Sequence, residues 1–336
     1  MEYRRLGASG LKVSPICLGT MMFGERTDRR TAARIVGSAF DAGVNFIDTA
    51  DAYGEGESER VVGNLVRGNR DRWVLATKLG NLSVPGDPNS GGLGRKWMMR
   101  AVEGSLKRLG TDYIDIYYFH REDRDTPLAE ALRAMDDLMR QGKVRYFGVS
   151  NFQGWRMAEV VRECRSLGLP QPIVCQPYYN ALNRQAEVEV LPACRHYGLG
   201  VVPYSALARG VLTGKYRPGA KPPRDSRAGR GEQRFLQTDY RKESLDIAQQ
   251  VRRHAERKGT TAGQFAFNWV LANAIVTAAL VGPRTFEQWR EYLGALQHGF
   301  DAEDEAFIDG LVPAGHASTP GYTDPRFPVT GRVPLE

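Results

Sequence analysis

Ile114-Asp115-Ile116-Tyr117-Tyr118-Phe119 is a short run in which five of six residues are apolar or aromatic. A polar turn follows, then Leu128–Gln141, then Gly142 and a second short run, Tyr146–Ser150. Leu128, Leu132, Met135, Leu138 and Met139 recur at helical spacing and form one apolar stripe. Pro127 sits where the start of a helix tolerates proline, and Gly142 provides a stop. A strand, a helix and a second strand in this order predict a parallel sheet with helical crossovers.

The same rhythm extends in both directions. Apolar runs occur at Ile16–Thr20, Asn45–Thr49, Trp73–Lys78, Ile114–Phe119, Tyr146–Ser150, Ile173–Gln176, Gly200–Tyr204 and Ala278–Val281. They carry few polar residues, as expected of strands covered on both faces. Eight such units fit a closed (β/α)8 TIM barrel better than an open sheet. Tyr3–Gly7 and Leu11–Val13, around Ala8-Ser9-Gly10, read as an N-terminal β-hairpin capping one end. Long loops are expected after strands 3 and 7 of the barrel, at Gly80–Arg95 and Ala206–Tyr240. Both follow strand C-termini, where barrel enzymes build their sites. Residues 1–336 read as one barrel domain, with 313–336 as an irregular tail.

Composition narrows the function. Of 336 residues, 42% are apolar, enough for a packed core. The formal charge of +7 is spread along the chain, which fits a solvated surface rather than a nucleic-acid site. No apolar leader or membrane-length apolar stretch is seen, so a cytoplasmic protein with no membrane partner is expected. Cys17, Cys164, Cys175 and Cys194 form no CxxC pair, and no metal site is expected.

Two glycine-containing stretches fail as nucleotide motifs. Gly54-Glu55-Gly56-Glu57-Ser58-Glu59 begins like a dinucleotide fingerprint, but Glu59 stands where the third glycine belongs. Gly210–Lys215 is one residue short of a phosphate-binding P-loop, and Tyr216 replaces its hydroxyl residue.

The chemistry gathers at strand ends. Asp48 ends the second barrel strand and Tyr53 lies in the loop beyond it. Lys78 ends the third strand and His120 the fourth. A barrel brings these ends to one rim. Each residue alone has an ordinary role: a turn cap, a packed ring, a solvated amine, a structural imidazole. Together they form an acid set for reducing a carbonyl. Tyr53 would protonate the oxygen that gains charge, and Lys78 would lower the phenol's pKa. Asp48 would keep Lys78 charged, and His120 would orient the carbonyl.

These residues sit in segments that resemble the aldo-keto reductases. The segments are Asp48-Thr49-Ala50-Asp51-Ala52-Tyr53-Gly54 with Glu57-Ser58-Glu59, Thr77-Lys78, and Asp115-Ile116-Tyr117-Tyr118-Phe119-His120. Gly148–Phe152, Gln176–Asn180, Val202–Ser205 and Leu207–Tyr216 continue the likeness in order, over roughly residues 3 to 312. The branch resembled is that of bacterial-type enzymes or of potassium-channel beta subunits.

The resemblance implies an NADP-dependent oxidoreductase acting on the CH–OH group of donors, with NADPH as cofactor and NADH possible. It implies that Ser150, Asn151 and Gln176 bind the nicotinamide carboxamide and that Tyr204 stacks on the ring. Ser205, Ala206, Leu207, Arg209, Gly210 and Lys215 would lie along the pyrophosphate. Gly282, Arg284, Gln288 and Glu291 would meet the adenosine phosphate, and Gly19, Thr20, Met21 and Asp48 would border the cofactor. Met21, Phe23, Tyr53, His120 and Trp155 are expected pocket walls for a small carbonyl substrate. An oligomer is possible. The alternatives are a cofactor-binding, redox-sensing regulatory subunit with little turnover, and an unrelated barrel enzyme using Lys78 or His120.

Overall fold

The computed structural model describes residues 1–81 and 84–328. The expected tail is irregular from residue 313 to 328, and its last eight residues lie outside that range.

Two short strands, β1 (Arg4–Arg5) and β2 (Lys12–Val13), pair antiparallel as the expected hairpin. The barrel strands are β3 (Ile16–Gly19), β4 (Phe46–Asp48), β5 (Val74–Leu79), β6 (Ile114–Phe119), β7 (Val144–Ser150), β8 (Val174–Gln176), β9 (Gly200–Val201) and β10 (Ala279–Val281). All pair in parallel, in the order β10-β3-β4-β5-β6-β7-β8-β9. Hydrogen bonds from Thr277 N to Val201 O (2.9 Å) and from Leu280 N to Pro203 O (3.0 Å) bring the two ends together. The sheet therefore wraps into the (β/α)8 barrel expected from the strand count.

Helices cover the outside. They include α1 (Arg29–Asp41), α2 (Glu57–Val66), α3 (Arg95–Leu109), α4 (Leu128–Arg140), α5 (Gly154–Leu167) and α6 (Val190–Tyr197). The long connection after β9 holds the short α7 (Gln233–Thr238) before α8 (Lys242–Arg257) and α9 (Ala262–Ala272). After β10 come α10 (Phe286–Ala295) and α11 (Ala302–Leu311). Local chemistry sets their ends. Asp28 caps α1 by accepting from Thr31 N, and Thr261 and Asp301 form capping boxes on α9 and α11. Gly110, Gly168 and Gly198 close α3, α5 and α6 in the left-handed conformation.

Period-two alternation divides the core into two layers. Inside the barrel lie Cys17, Phe46, Val74, Ala76, Ile116, Tyr118, Val174 and Ala278, plugged at the N-terminal end by Leu6 and Val13 of the hairpin. Between wall and helices lie Ile47, Leu75, Leu79, Tyr117 and Phe119 with the apolar faces of the helices. Gly7 lets the hairpin dock: a Cβ there would stand 2.5 Å from Gly198 O and Gly200 N. All four cysteines are buried and free. No helix among the described residues is long and apolar enough to cross a membrane.

The tightest helix contact is between α2 and α3, where a Cβ on Gly63 would stand 2.1 Å from the Leu109 carbonyl oxygen. Backbone cannot yield as a flexible side chain can, so Gly63→Ala is expected to destabilise the fold by about 1–3 kcal/mol. The urea midpoint, compared with wild type at unchanged slope, measures this.

Candidate active site

Strand parity aims the site. Phe46 and Asp48 share one face of β4; Val74, Ala76 and Lys78 share one face of β5; Ile116 and Tyr118 lead to His120 beyond β6. The apolar members of these rows fill the barrel, so the polar members cap it at the C-terminal rim. The pairings Asp48↔Ala76 and Lys78↔Tyr118 set their heights. Gln176 and Ser150 end β8 and β7 as paired neighbours in the same layer.

Lys78 and Asp48 form an ion pair with no solvent exposure on the lysine and 1% on the acid. Lys78 Nζ also donates to Thr49 O (2.7 Å) and lies 3.3 Å from the Tyr53 hydroxyl. The second carboxylate oxygen of Asp48 accepts from Gln176 Nε2 at 3.0 Å. Burial alone would lower the Lys78 pKa, but Asp48 and Tyr53 outweigh it and hold the ammonium above the ordinary lysine range.

Tyr53 departs from the sequence expectation. Burial is the largest influence on it and, with Asp48, outweighs the pull of Lys78, so its hydroxyl lies above the ordinary phenol range. The phenol is thus a firmly protonated donor beside an ammonium. Its ring meets His120 edge-on, with centroids 5.9 Å apart. Burial, then Lys78 and Arg121, hold the His120 pKa well below its usual value, so the imidazole is neutral. His120 Nδ1 is buried without a partner.

A second polar group adjoins these four. Asn151 donates to His120 O (2.8 Å) and accepts from the Tyr204 hydroxyl (2.8 Å). Ser150 donates to Gln176 O at 2.9 Å. Among the described residues, the non-glycine residues with positive φ are Glu55, Asn151, Ser205, Ala208 and Arg209. All five lie in loops leaving the C-terminal ends of strands, and strain of this kind marks functional sites.

The other expected contacts divide. Thr20 is fully buried: its hydroxyl and N–H donate to Asp48 O and its carbonyl accepts from Ser58 Oγ, so it holds the turn in place. Gly19, Ala206 and Leu207 offer little besides backbone, since the last two are nearly buried. Arg209 is held by Thr238 Oγ1 (2.6 Å) and Asp239 Oδ2 (2.9 Å). Gln288 accepts from Arg284 N (2.8 Å) and braces the start of α10, whereas Glu291 accepts from Thr261 Oγ1 (2.8 Å) and ties α10 to the start of α9. Trp155 and Met21 are exposed and available as walls. Phe23 is a correction: with no exposed surface it packs in the outer core, because the loop after β3 folds it back under α1 and α2.

Further residues hold these loops in place. Glu232 receives Arg26, Arg227 and Arg230. Burial would raise its carboxyl, but these hydrogen bonds bring it down to about 2. Asp239 takes Arg209 and the Tyr178 hydroxyl. Asn180 holds Ser205 O at 3.1 Å. Asn180 and Tyr178 lie in the recognisable Gln176–Asn180 segment, but Glu232 and Asp239 lie in an aperiodic loop.

A cavity of about 540 Å³ opens at the N-terminus of α10, lined by Arg26, Arg34, Arg230 and Arg284 with Asp28 and Glu287. Among the described residues, the Arg284 side chain reaches only Asp225, at 3.4 Å from its carboxylate. Burial, then Arg284 and Arg227, push the Lys215 pKa down. This excess of cations beside a helix N-terminus fits a phosphate-bearing cofactor.

Residues 15–313 match the aldo/keto reductase family. The chain is 39% identical over 333 residues to the uncharacterized oxidoreductase YrpG of Bacillus subtilis, covering 95% of this chain and 98% of that one. It is 36% identical to a probable voltage-gated potassium channel subunit beta of Arabidopsis thaliana, over 88% of this chain and 91% of the other. It is 33% identical to the L-glyceraldehyde 3-phosphate reductase of Escherichia coli K12, over 94% and 93%.

Asp48→Ala would leave the Lys78 ammonium buried and unpaired. Losing one member of such a pair costs about 3–5 kcal/mol. A fall of that size in unfolding free energy, measured by urea titration, is the expected result.

Proposed function

The chain belongs to the aldo/keto reductase family, and from that premise we propose that it reduces an aldehyde or ketone with NADPH, Tyr53 serving as general acid. The observation that carries this reading is Lys78 Nζ, which reaches Asp48 and the Tyr53 hydroxyl at once. A bound nicotinamide supplies the hydride. Ser150, Asn151 and Gln176 would hold its carboxamide, and Tyr204 its ring face. The loop Ser205–Gly210 with Lys215 would follow the pyrophosphate, and Arg284 would meet the adenosine phosphate at the cationic cavity.

The roles of the chain's own groups follow from their electrostatics. Neutral His120 donates a hydrogen bond to the carbonyl oxygen and orients it. Tyr53 passes its proton to that oxygen as charge develops there. The adjacent ammonium of Lys78 stabilises the phenolate left behind. Asp48 stops Lys78 from losing its own proton instead.

The substrate class to try first is a phosphorylated aldehyde. The Escherichia coli relative's name supports it, as does Arg121. That residue is exposed, adjoins His120, and has no ion-pair partner among the described residues. Likeness to the Arabidopsis channel subunit supports a second reading, a cofactor-sensing subunit with little turnover.

Tyr53→Phe is expected to lose carbonyl reduction by about 10²–10⁴-fold while still binding NADPH, as read by cofactor fluorescence. Near-wild-type turnover would remove Tyr53 as the acid. Arg284→Ala is expected to weaken NADPH by about tenfold and leave NADH nearly unchanged. Equal losses for both cofactors would withdraw the phosphate role of Arg284. Tight cofactor binding without turnover of any carbonyl would favour the sensing subunit.

A further inference from the structure

Behind the barrel wall, on the face opposite Lys78, lies a second set of acids. Asp51 belongs to the turn that joins Asp48 to Tyr53. Its backbone N–H donates to Lys78 O (3.3 Å), fastening that turn to β5. Its side chain has no solvent exposure, and neither carboxyl oxygen has a hydrogen-bond partner. By contrast, the Glu59 carboxylate beside it is fully engaged, by Thr77 Oγ1 and by Arg108 Nε, each at 2.6 Å. The Tyr117 hydroxyl, buried on the same outer face of the wall, is also unpartnered.

A buried carboxylate without donors costs far more than the same group protonated. We infer that Asp51 is a positioning residue that stays protonated while Tyr53 donates its proton, and whose ionisation makes Tyr53 a poorer acid. The inference rests, for its effect on rate, on the reductase reading above. The groups facing Asp51 are Glu59 from α2, Arg108 from α3, Lys78 from β5, Tyr117 from β6 and Tyr53 from its own turn. Burial, then Glu59, raise the Asp51 carboxyl to about 7, against the pull of Arg108, the Ala52 N–H and Lys78. Ionised Asp51 in turn pushes the Tyr53 hydroxyl upward.

The sign for stability is set by the same shift. Between the ordinary carboxyl value of 3.8 and about 7, the folded state keeps a proton that the unfolded chain has lost. Stability therefore falls as pH rises through that window, and the deficit is complete above it.

The test is Asp51→Asn, which keeps the shape of the protonated acid. Three readouts are expected to agree. D51N should melt a few degrees above wild type at pH 8, and that advantage should shrink towards pH 5. Wild-type reduction should fall by up to about tenfold between pH 6 and pH 8, and D51N should lose that decline. The tyrosinate difference spectrum of each protein against its own Tyr53→Phe version should show Tyr53 ionising at lower pH in D51N. This last readout needs neither cofactor nor substrate, so it stands even if no carbonyl is reduced. A melting difference that does not change with pH, or a Tyr53 titration that does not move, overturns the inference. Should D51N fail to fold, Glu59→Gln removes the neighbouring charge and should move the decline in rate to lower pH; an unmoved decline overturns it equally.

Discussion

The Lys78–Asp48 ion pair holds the rim together. Two charges inside a barrel attract strongly because little water screens them, but each has given up its hydration. The arrangement is stable only because their remaining hydrogen-bonding capacity is used. Lys78 donates to Thr49 O, and Asp48 accepts from Gln176, which comes from β8. One pair thus links β4, β5, β8 and the turn that carries Tyr53. Its electrostatic outcome is an ammonium kept charged and a phenol kept protonated at contact distance. Proton donation to a substrate oxygen needs that combination.

The wall behind the pair is only one strand thick, and it carries polar groups on both sides. Lys78 points into the barrel while Thr77 points out, to Glu59. Glu59 receives Arg108 from α3, so the outer helices support the strand that positions Lys78. Asp51 lies in this outer layer yet belongs to the same turn as Tyr53. Charge on one side of the wall is therefore felt on the other, because a few ångströms of protein interior screen poorly.

The loops at the rim are fixed by a different means. Acids in the long connection after β9 gather arginines: Glu232 takes its neighbours Arg227 and Arg230 and the distant Arg26, and Asp239 takes Arg209. Ser205, Ala208 and Arg209 adopt positive φ there, at a cost that the rigid barrel beneath can sustain. The result is a loop shaped around a cationic cavity while Arg284 and Lys215 remain weakly neutralised.

Sequence alone determined the eight strands, their parallel order and the hairpin. It also determined that Asp48, Lys78 and His120 stand at strand ends, with Tyr53 just beyond one. These are local properties: alternation, helical period and turn residues act over a few positions. The even spacing of Phe46 and Asp48, or of Val74, Ala76 and Lys78, already contains the face they share. Tertiary structure alone decided depth and partnership. Phe23 looked like a pocket wall and is core. Arg209 is expected along the pyrophosphate, and the fold adds a partner for it in Asp239, 30 residues on. Tyr53 was expected to be lowered by Lys78, but burial outweighs it, and the Asp51 carboxyl has no partner although Glu59 beside it has two. Burial and pairing are set by residues far apart in the chain, and a charge's environment exists only once the fold has brought them together.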